Sequence, residues 1–250
     1  MYLPLKRFDH KKLACPLKYR YNEHRGDEQM KGILFDFNGT MFFDGIKHKE
    51  AWNAFSLKYR NKALSDEEMD HMHGQTNKQI IQMLVGDMSE EQSEALSKAK
   101  EAMYREACVN DPDMFHLVDG LETLLDYLKA NNVPMTICSA SIKDNIDFFI
   151  SSFHLERWFD VDKIMYDDGI HLNKISMFTS GAQAIGVDLK DCIVIEDSIS
   201  GIDFAYQCHV DSIIGIGPKE KHEFLASLPG VKHVIEDYQN SIDWFQEHLK

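Results

Sequence analysis

The sequence has no apolar run approaching the roughly 18 residues that a membrane-spanning helix needs. Nor has it a basic excess: 27 Lys and Arg stand against 41 Asp and Glu, a formal charge of −14. A chain that neutralises nucleic-acid phosphates needs a basic face, and an anionic membrane repels a chain this acidic. The composition thus points away from nucleic acid and membrane as partners. Cysteine is sparse: five residues, Cys15, Cys108, Cys138, Cys192 and Cys208, with no C-x-x-C pair. Three of them lie in or beside apolar runs and read as reduced core thiols of a cytoplasmic protein, not as a disulfide framework or zinc site. Internal repeats and low-complexity tracts are absent.

What is present suffices for a core. At 250 residues and 44% apolar content, the chain can form one large domain or two small ones. Its first 30 residues stand apart, with seven Lys/Arg and four Asp/Glu, a net +3 that leaves −17 for the rest. They lack the apolar stretch of a secretory signal and match an import leader poorly. Residues 1–30 read as a flexible extension, with Met30, directly before the first core strand, as an alternative start of the compact domain.

From Gly32 onward, apolar runs alternate with helical patterns. The strands expected are Ile33–Phe37, Val133–Cys138, Cys192–Ile195 and Ser212–Ile216, with a weaker one at Val231–Ile235. Between them Leu121, Leu124, Leu125 and Leu128 recur at helical spacing, as do Ile146, Phe149, Ile150 and Phe153. Near-continuously apolar strands separated by helices predict an α/β fold, a parallel sheet with helices on both faces. One interval breaks the alternation. Residues 46–115 show only helical signals: Trp52, Phe55 and Tyr59 on one face, capping boxes at Ser65–Glu68 and Ser89–Gln92, and a helix over Asn77–Val85. That is an inserted helical domain, whose main loop is Met72–Asn77.

Four clusters fall at the C-terminal ends of expected strands or just before a helix, the edge where open α/β sheets bind ligands. In "DFNGT", Asp36 is placed as a carboxylate nucleophile, with Gly39 and Thr40 offering backbone amides to an anion. In "ICSAS", Ser139 ends a strand with a hydroxyl suited to a phosphate oxygen, with Ala140 beside it. Lys174 opens a helix and can neutralise a transferring phosphoryl group. In "VIEDSISG", Glu196 and Asp197 follow an apolar strand; facing Asp36, they make an all-oxygen pocket suited to Mg²⁺. Singly, each has an ordinary reading as a turn former, helix cap or surface charge. Their order along one sheet edge is what gives them weight.

The order D-x-(D)-G-T, S/T, K and E-D-S-x-x-G resembles the haloacid dehalogenase superfamily of phosphotransferases. The helical insertion is similar to the cap of its β-phosphoglucomutase and phosphoglycolate phosphatase branch. The resemblance runs from about Gly32 to the C-terminus. It implies a Rossmann-like core over residues 31–45 and 116–250, a helical cap over 46–115, and a hydrolase acting on a small phosphorylated metabolite with Mg²⁺. Asp36 matches the nucleophile that forms an aspartyl-phosphate. Ser139 matches the phosphate-binding hydroxyl and Lys174 the motif lysine. Asp36, Glu196, Asp197 and the backbone carbonyl of Asn38 match the magnesium ligands. In the cap loop, Gly74, Thr76, Asn77 and Lys78 fall where similar proteins choose their substrate.

Two departures stand out. The motif lysine is usually followed by Pro-x-Pro-Asp; here Lys174 is followed by Ile175-Ser176-Met177-Phe178. More important, position 38 carries an amide where the family has its acid–base carboxyl. Losing a general acid–base costs about 10²–10⁴ in rate, and least for leaving groups that need no proton. His48, at the start of the first cap helix, is one substitute, with His71 and His73 weaker ones. Asn38-Gly39 is also a dipeptide prone to deamidation, one product of which is Asp. Four readings stay open: a phosphatase restricted to good leaving groups, a β-phosphoglucomutase-like mutase, a phosphonoacetaldehyde hydrolase-like enzyme using Lys78 as a Schiff base, and a binding module that has lost turnover.

Overall fold

The computed structural model describes residues 31–72, 75–169 and 173–249. The proposed N-terminal extension, His73 and Gly74 lie outside the described residues. In chain order the elements are β1 (Gly32–Phe35), α1 (Gly45–Arg60), α2 (Asp66–His71), α3 (Asn77–Val85), α4 (Glu90–Val109) and α5 (Leu121–Ala130). There follow β2 (Met135–Ile142), α6 (Lys143–Phe153), β3 (Met165–Asp167), α7 (Lys174–Ile185), β4 (Cys192–Glu196) and α8 (Ile199–Gln207). The chain closes with β5 (Ser212–Ile216), α9 (His222–Ala226), β6 (Val231–Ile235) and α10 (Ile242–His248).

The six strands form one parallel sheet in the order β3-β2-β1-β4-β5-β6, a doubly wound arrangement. Side-chain alternation along each strand divides the core between the two faces. Ile33, Phe35, Ile193, Ile195, Ile214 and Ile216 join one buried cluster with the leucines of α5 and Phe149 of α6. Leu34, Val194 and Ile213 join the other, with Met177, Phe178 and Ala182 of α7 and Ile202 of α8. Strands buried on both sides are apolar at nearly every position for this reason.

Between β1 and α5, all four helices come from the expected insertion. Thr76 and Ser89 each form a reciprocal capping box, at the starts of α3 and α4, and Ser65 and Glu68 exchange the same pair of hydrogen bonds before α2. Trp52, Phe55, Ile80, Ile81 and Leu84 pack as a third cluster. Tyr59 touches Phe55 but is itself exposed.

The sheet differs from expectation at its left edge. β2 runs to Ile142, not Cys138, so Ser139 lies inside a strand and does not end one. It is extended because β3 pairs with it at Cys138 and, after a register shift, at Ile142. β3 is three residues long, Met165 and Tyr166 half-buried and Asp167 exposed, and carries no apolar pattern to betray it.

Candidate active site

The nucleophile loop is a tight knot. The amides of Thr40, Met41 and Phe42 all converge on the carbonyl of Phe37, and the Gly39 amide donates to the Phe42 carbonyl at 2.8 Å. Gly39 sits at φ +78°, and a Cβ there would collide with the Asp197 carboxylate, so the loop approaches β4 as closely as it does because the residue is glycine. The amides of Gly39 and Thr40, expected to face an anion, are therefore consumed within the turn. Thr40 contributes its hydroxyl instead, 3.4 Å from Asp36 Oδ2, while buried Tyr238 donates to the Thr40 carbonyl and props the loop from behind.

Around this knot the sheet edge gathers the expected charges. Asn173 caps α7 through the Ser176 amide, so the helix starts correctly without the proline-rich run and Lys174 reaches inward. Its ammonium pairs with Asp36 Oδ1, donates to the Cys138 carbonyl at 2.8 Å and lies 3.0 Å from Glu196 Oε1. The other Glu196 oxygen accepts from the amide and hydroxyl of Ser198, both at 2.9 Å. Oε1 is buried, close enough to Lys174 for charge pairing but off the line of a hydrogen bond, and it has no hydrogen-bond partner among the described residues. Gly201, at the start of α8, makes room for it, since a Cβ at that position would overlap the carboxylate.

Three carboxylates thus share one lysine. Burial, offset by Lys174 and reinforced by Glu196, pushes Asp36 up to about 7. Burial and the charges of Asp36 and Glu196 push Asp197 up to about 8. Lys174 is held above the ordinary lysine value because Asp36 and Glu196 outweigh its own desolvation. One oxygen from each of Asp36, Glu196 and Asp197 lies within 4.8 Å of the others. Three hard oxygen donors with a single lysine between them, one buried Glu196 oxygen making no hydrogen bond among the described residues, fit a divalent cation such as Mg²⁺.

Residues 30–209 match the description of the haloacid dehalogenase-like hydrolases. The chain belongs to this family. A haloacid dehalogenase hydrolase of family IA, variant 3, from Entamoeba histolytica superposes with a TM-score of 0.78 at 34% identity, covering 84% of this chain and 94% of that one. β-Phosphoglucomutase from Clostridium difficile shares the fold, with a TM-score of 0.65 at 21% identity over 88% of this chain and 97% of that one. Among curated relatives, fructose-1-phosphate phosphatase YqaB of Escherichia coli is 23% identical over 74% of this chain and 96% of its own length. A haloacid dehalogenase-like hydrolase domain-containing protein of Arabidopsis thaliana, At4g39970, is 29% identical, but the match spans 38% of this chain and only 31% of that relative.

Within this haloacid dehalogenase-like fold several other expected site residues have different occupations. Ser139 is buried at the edge, its hydroxyl 3.5 Å from Asn38 Oδ1, whereas Ala140 is exposed. His48 uses both ring nitrogens, one 3.1 Å from Asp44 Oδ2 and the other 3.0 Å from Lys100 Nζ, and its ring stacks on Tyr104. Neither nitrogen is left to serve as a substitute acid. His71 is exposed and bonded to the Glu67 carbonyl. In the cap loop, Thr76 is spent capping α3. Asn77 bonds Ser97 and Glu101 of α4, and Lys78 pairs with Glu90 at the surface. Asp44, Tyr104 and Ser141, absent from the sequence-based candidates, all hydrogen-bond the side chain of Asn38. Nothing in their spacing signals this, because they come from three separate elements.

Proposed function

We propose that this chain is a Mg²⁺-dependent phosphatase that transfers a phosphoryl group to Asp36 and favours substrates whose leaving group departs without a proton. The observation that carries the reading is Asp36 and Lys174 in direct contact at the edge where Glu196 and Asp197 converge. An Asp36 oxygen attacks phosphorus as the bond to the leaving oxygen breaks, and that oxygen leaves as an anion. Water then attacks phosphorus, the Asp36–phosphate bond breaks, and the water proton passes to solvent or to the phosphate formed. Lys174, ion-paired to Asp36, orients the carboxylate and offsets the charge arriving on the phosphoryl oxygens. Ser139 lies at the same edge as a hydroxyl donor to those oxygens. Mg²⁺, held by Asp36, Glu196, Asp197 and the Asn38 backbone carbonyl, would neutralise charge on the phosphoryl group. Residues 46–115 serve as the cap and the remainder from 31 as the core.

Asn38 neither gives nor takes a proton, so alkyl phosphates are expected to be poor substrates and acyl or aryl phosphates better ones. A mutase cycle needs that proton twice and fits less well. The test compares acetyl phosphate, 4-nitrophenyl phosphate, pyrophosphate and fructose 1-phosphate, with and without Mg²⁺. Turnover of the activated esters, lost on chelation and accompanied by a phosphorylated peptide containing Asp36, is the expected result. Binding of phosphate esters with no phosphopeptide would replace this reading with that of a binding module.

A further inference from the structure

Asn38 is held at every polar atom of its side chain. Its Oδ1 accepts from the Ser141 hydroxyl at 2.6 Å. Its Nδ2 donates to Asp44 Oδ2 at 2.5 Å and lies 3.1 Å from the Tyr104 hydroxyl oxygen. Asp44 is 3% exposed, and the same Oδ2 also accepts from the Tyr104 hydroxyl at 2.5 Å and from His48. Three donors thus meet on one buried carboxylate oxygen. They come from the nucleophile loop, from α1 and from α4, the last of the inserted helices.

A second asparagine repeats the pattern. Asn145, in the first turn of α6 and also 3% exposed, accepts at Oδ1 from Arg105 at 2.6 Å and donates from Nδ2 to Glu101 at 2.7 Å. Glu101, Tyr104 and Arg105 share one face of α4 at i, i+3 and i+4. This face therefore meets the sheet domain through two amides, Asn38 half-buried and Asn145 buried, each using its donor and its acceptor at once.

We propose that Asn38 and Asn145 are paired catches that seat α4 on the catalytic edge, and that Asp44 and Tyr104 are positioning residues whose fit requires a donor at position 38. An aspartate at 38 would set one carboxylate against another at a distance where Asp44 now finds an N–H. Both groups would be acceptors, and the geometry that seats Tyr104 would be lost. On this account Asn38→Asp does not restore a missing acid; it breaks the seat. The exchange Asn38→Asp/Asp44→Asn puts the donor on the other partner. The amide at 44 donates to the carboxylate at 38 from the place Oδ2 now holds, and the Tyr104 hydroxyl turns to accept from that amide and donate to the same carboxylate. Only the His48 contact is given up.

The experiment measures thermal unfolding and α4 amide hydrogen exchange for wild type, Asn38→Asp, Asp44→Asn, the exchange variant and Tyr104→Phe, without substrate or metal. Asn38→Asp is expected to lower Tm by roughly 5–10 °C and to speed exchange in α4, and the exchange variant to recover most of both. Should Asn38→Asp not fold, recovery of a folded exchange variant and faster α4 exchange in Tyr104→Phe carry the same conclusion. Wild-type Tm and α4 protection in Asn38→Asp, or an exchange variant no better than the sum of its parts, would overturn the proposal. The proposal deepens the phosphatase reading but is tested apart from it. In a parallel assay with acetyl phosphate and Mg²⁺, kcat should fall in Asn38→Asp and return in the exchange variant. If no variant turns over while the Tm rescue holds, the catch stands and the phosphatase reading falls.

Discussion

Two polar clusters lie side by side at the C-terminal edge of the sheet, and they are built on opposite terms. In the first, Asp36, Glu196 and Asp197 crowd around one lysine, two of the acids are pushed up to about 7 and about 8, and a buried Glu196 oxygen has no hydrogen bond among the described residues. In the second, Asp44 is buried to a similar degree, yet hydrogen bonds from His48, Tyr104 and Asn38 overcome its burial and hold it below the usual carboxylate range. Burial alone does not decide which way a carboxyl moves; the supply of donors does. The first cluster is left short of positive charge, as a site awaiting a cation and a phosphate would be. The second is saturated, as a joint would be.

The sharpest way to separate them is to remove the nucleophile. Asp36→Asn should lower turnover of acetyl phosphate by at least about 10³-fold, measured by phosphate release, while leaving the fold in place. Retention of most of the activity would mean that the carboxylate is not the phosphoryl acceptor. Next in size is Lys174→Ala, which leaves buried carboxylates without their counter-charge and should cost about 3–5 kcal/mol in chemical denaturation without metal. Mg²⁺ should return part of that loss. Removing one donor from the saturated cluster, by Tyr104→Phe, should cost about 1–2 kcal/mol, and Mg²⁺ should return none of it. Equal responses of the two variants to Mg²⁺ would erase the contrast.

The pH dependence gives a smaller but more specific signal. Asp36 and Asp197 rise from 3.8 to about 7 and about 8 in the native state, so the folded, metal-free protein holds protons that the unfolded chain has released. Their contribution to stability is present below about pH 4 and is lost as pH rises through about 8. In chelator, Tm should therefore decline from pH ~5.5 to ~8.5, Asp197→Asn should decline less, and Mg²⁺ should flatten the curve. Parallel curves with and without Mg²⁺ would show that these acids do not hold the ion.

The fold and the charged cluster were legible because both follow from short-range patterns. β1, β4 and β5 are continuous apolar runs, and the acids and the lysine fall at element boundaries that such runs mark. β3 was not legible, being three residues with a mixed exposure pattern that exist as a strand only because β2 lies alongside. The turn amides of Gly39 and Thr40 were misread since a sequence shows which amides a turn contains, not which carbonyls will claim them. The saturated cluster was invisible for a stronger reason. Asp44, Tyr104, Ser141 and Asn145 are each unremarkable in sequence, and Asn38 stands out there only as a missing acid; what joins the five is contact between separate elements. The same contacts bear on deamidation at Asn38-Gly39: the Asn38 carbonyl is held by Ser141 and the Gly39 amide is bonded to Phe42, which keeps the attacking nitrogen from the carbonyl carbon.

The strand order has a consequence for how the molecule is made. β1 sits between β2 and β4, yet β2 begins about a hundred residues after β1 ends, and β4 lies further still. On a ribosome, the strand that delivers Asp36 emerges first among the strands and waits longest for neighbours. The four helices that follow it make their contacts locally and can pack during the wait. The nucleophile is therefore among the earliest of the site residues to be synthesised, and its environment is completed only when Glu196 and Asp197 leave the exit tunnel.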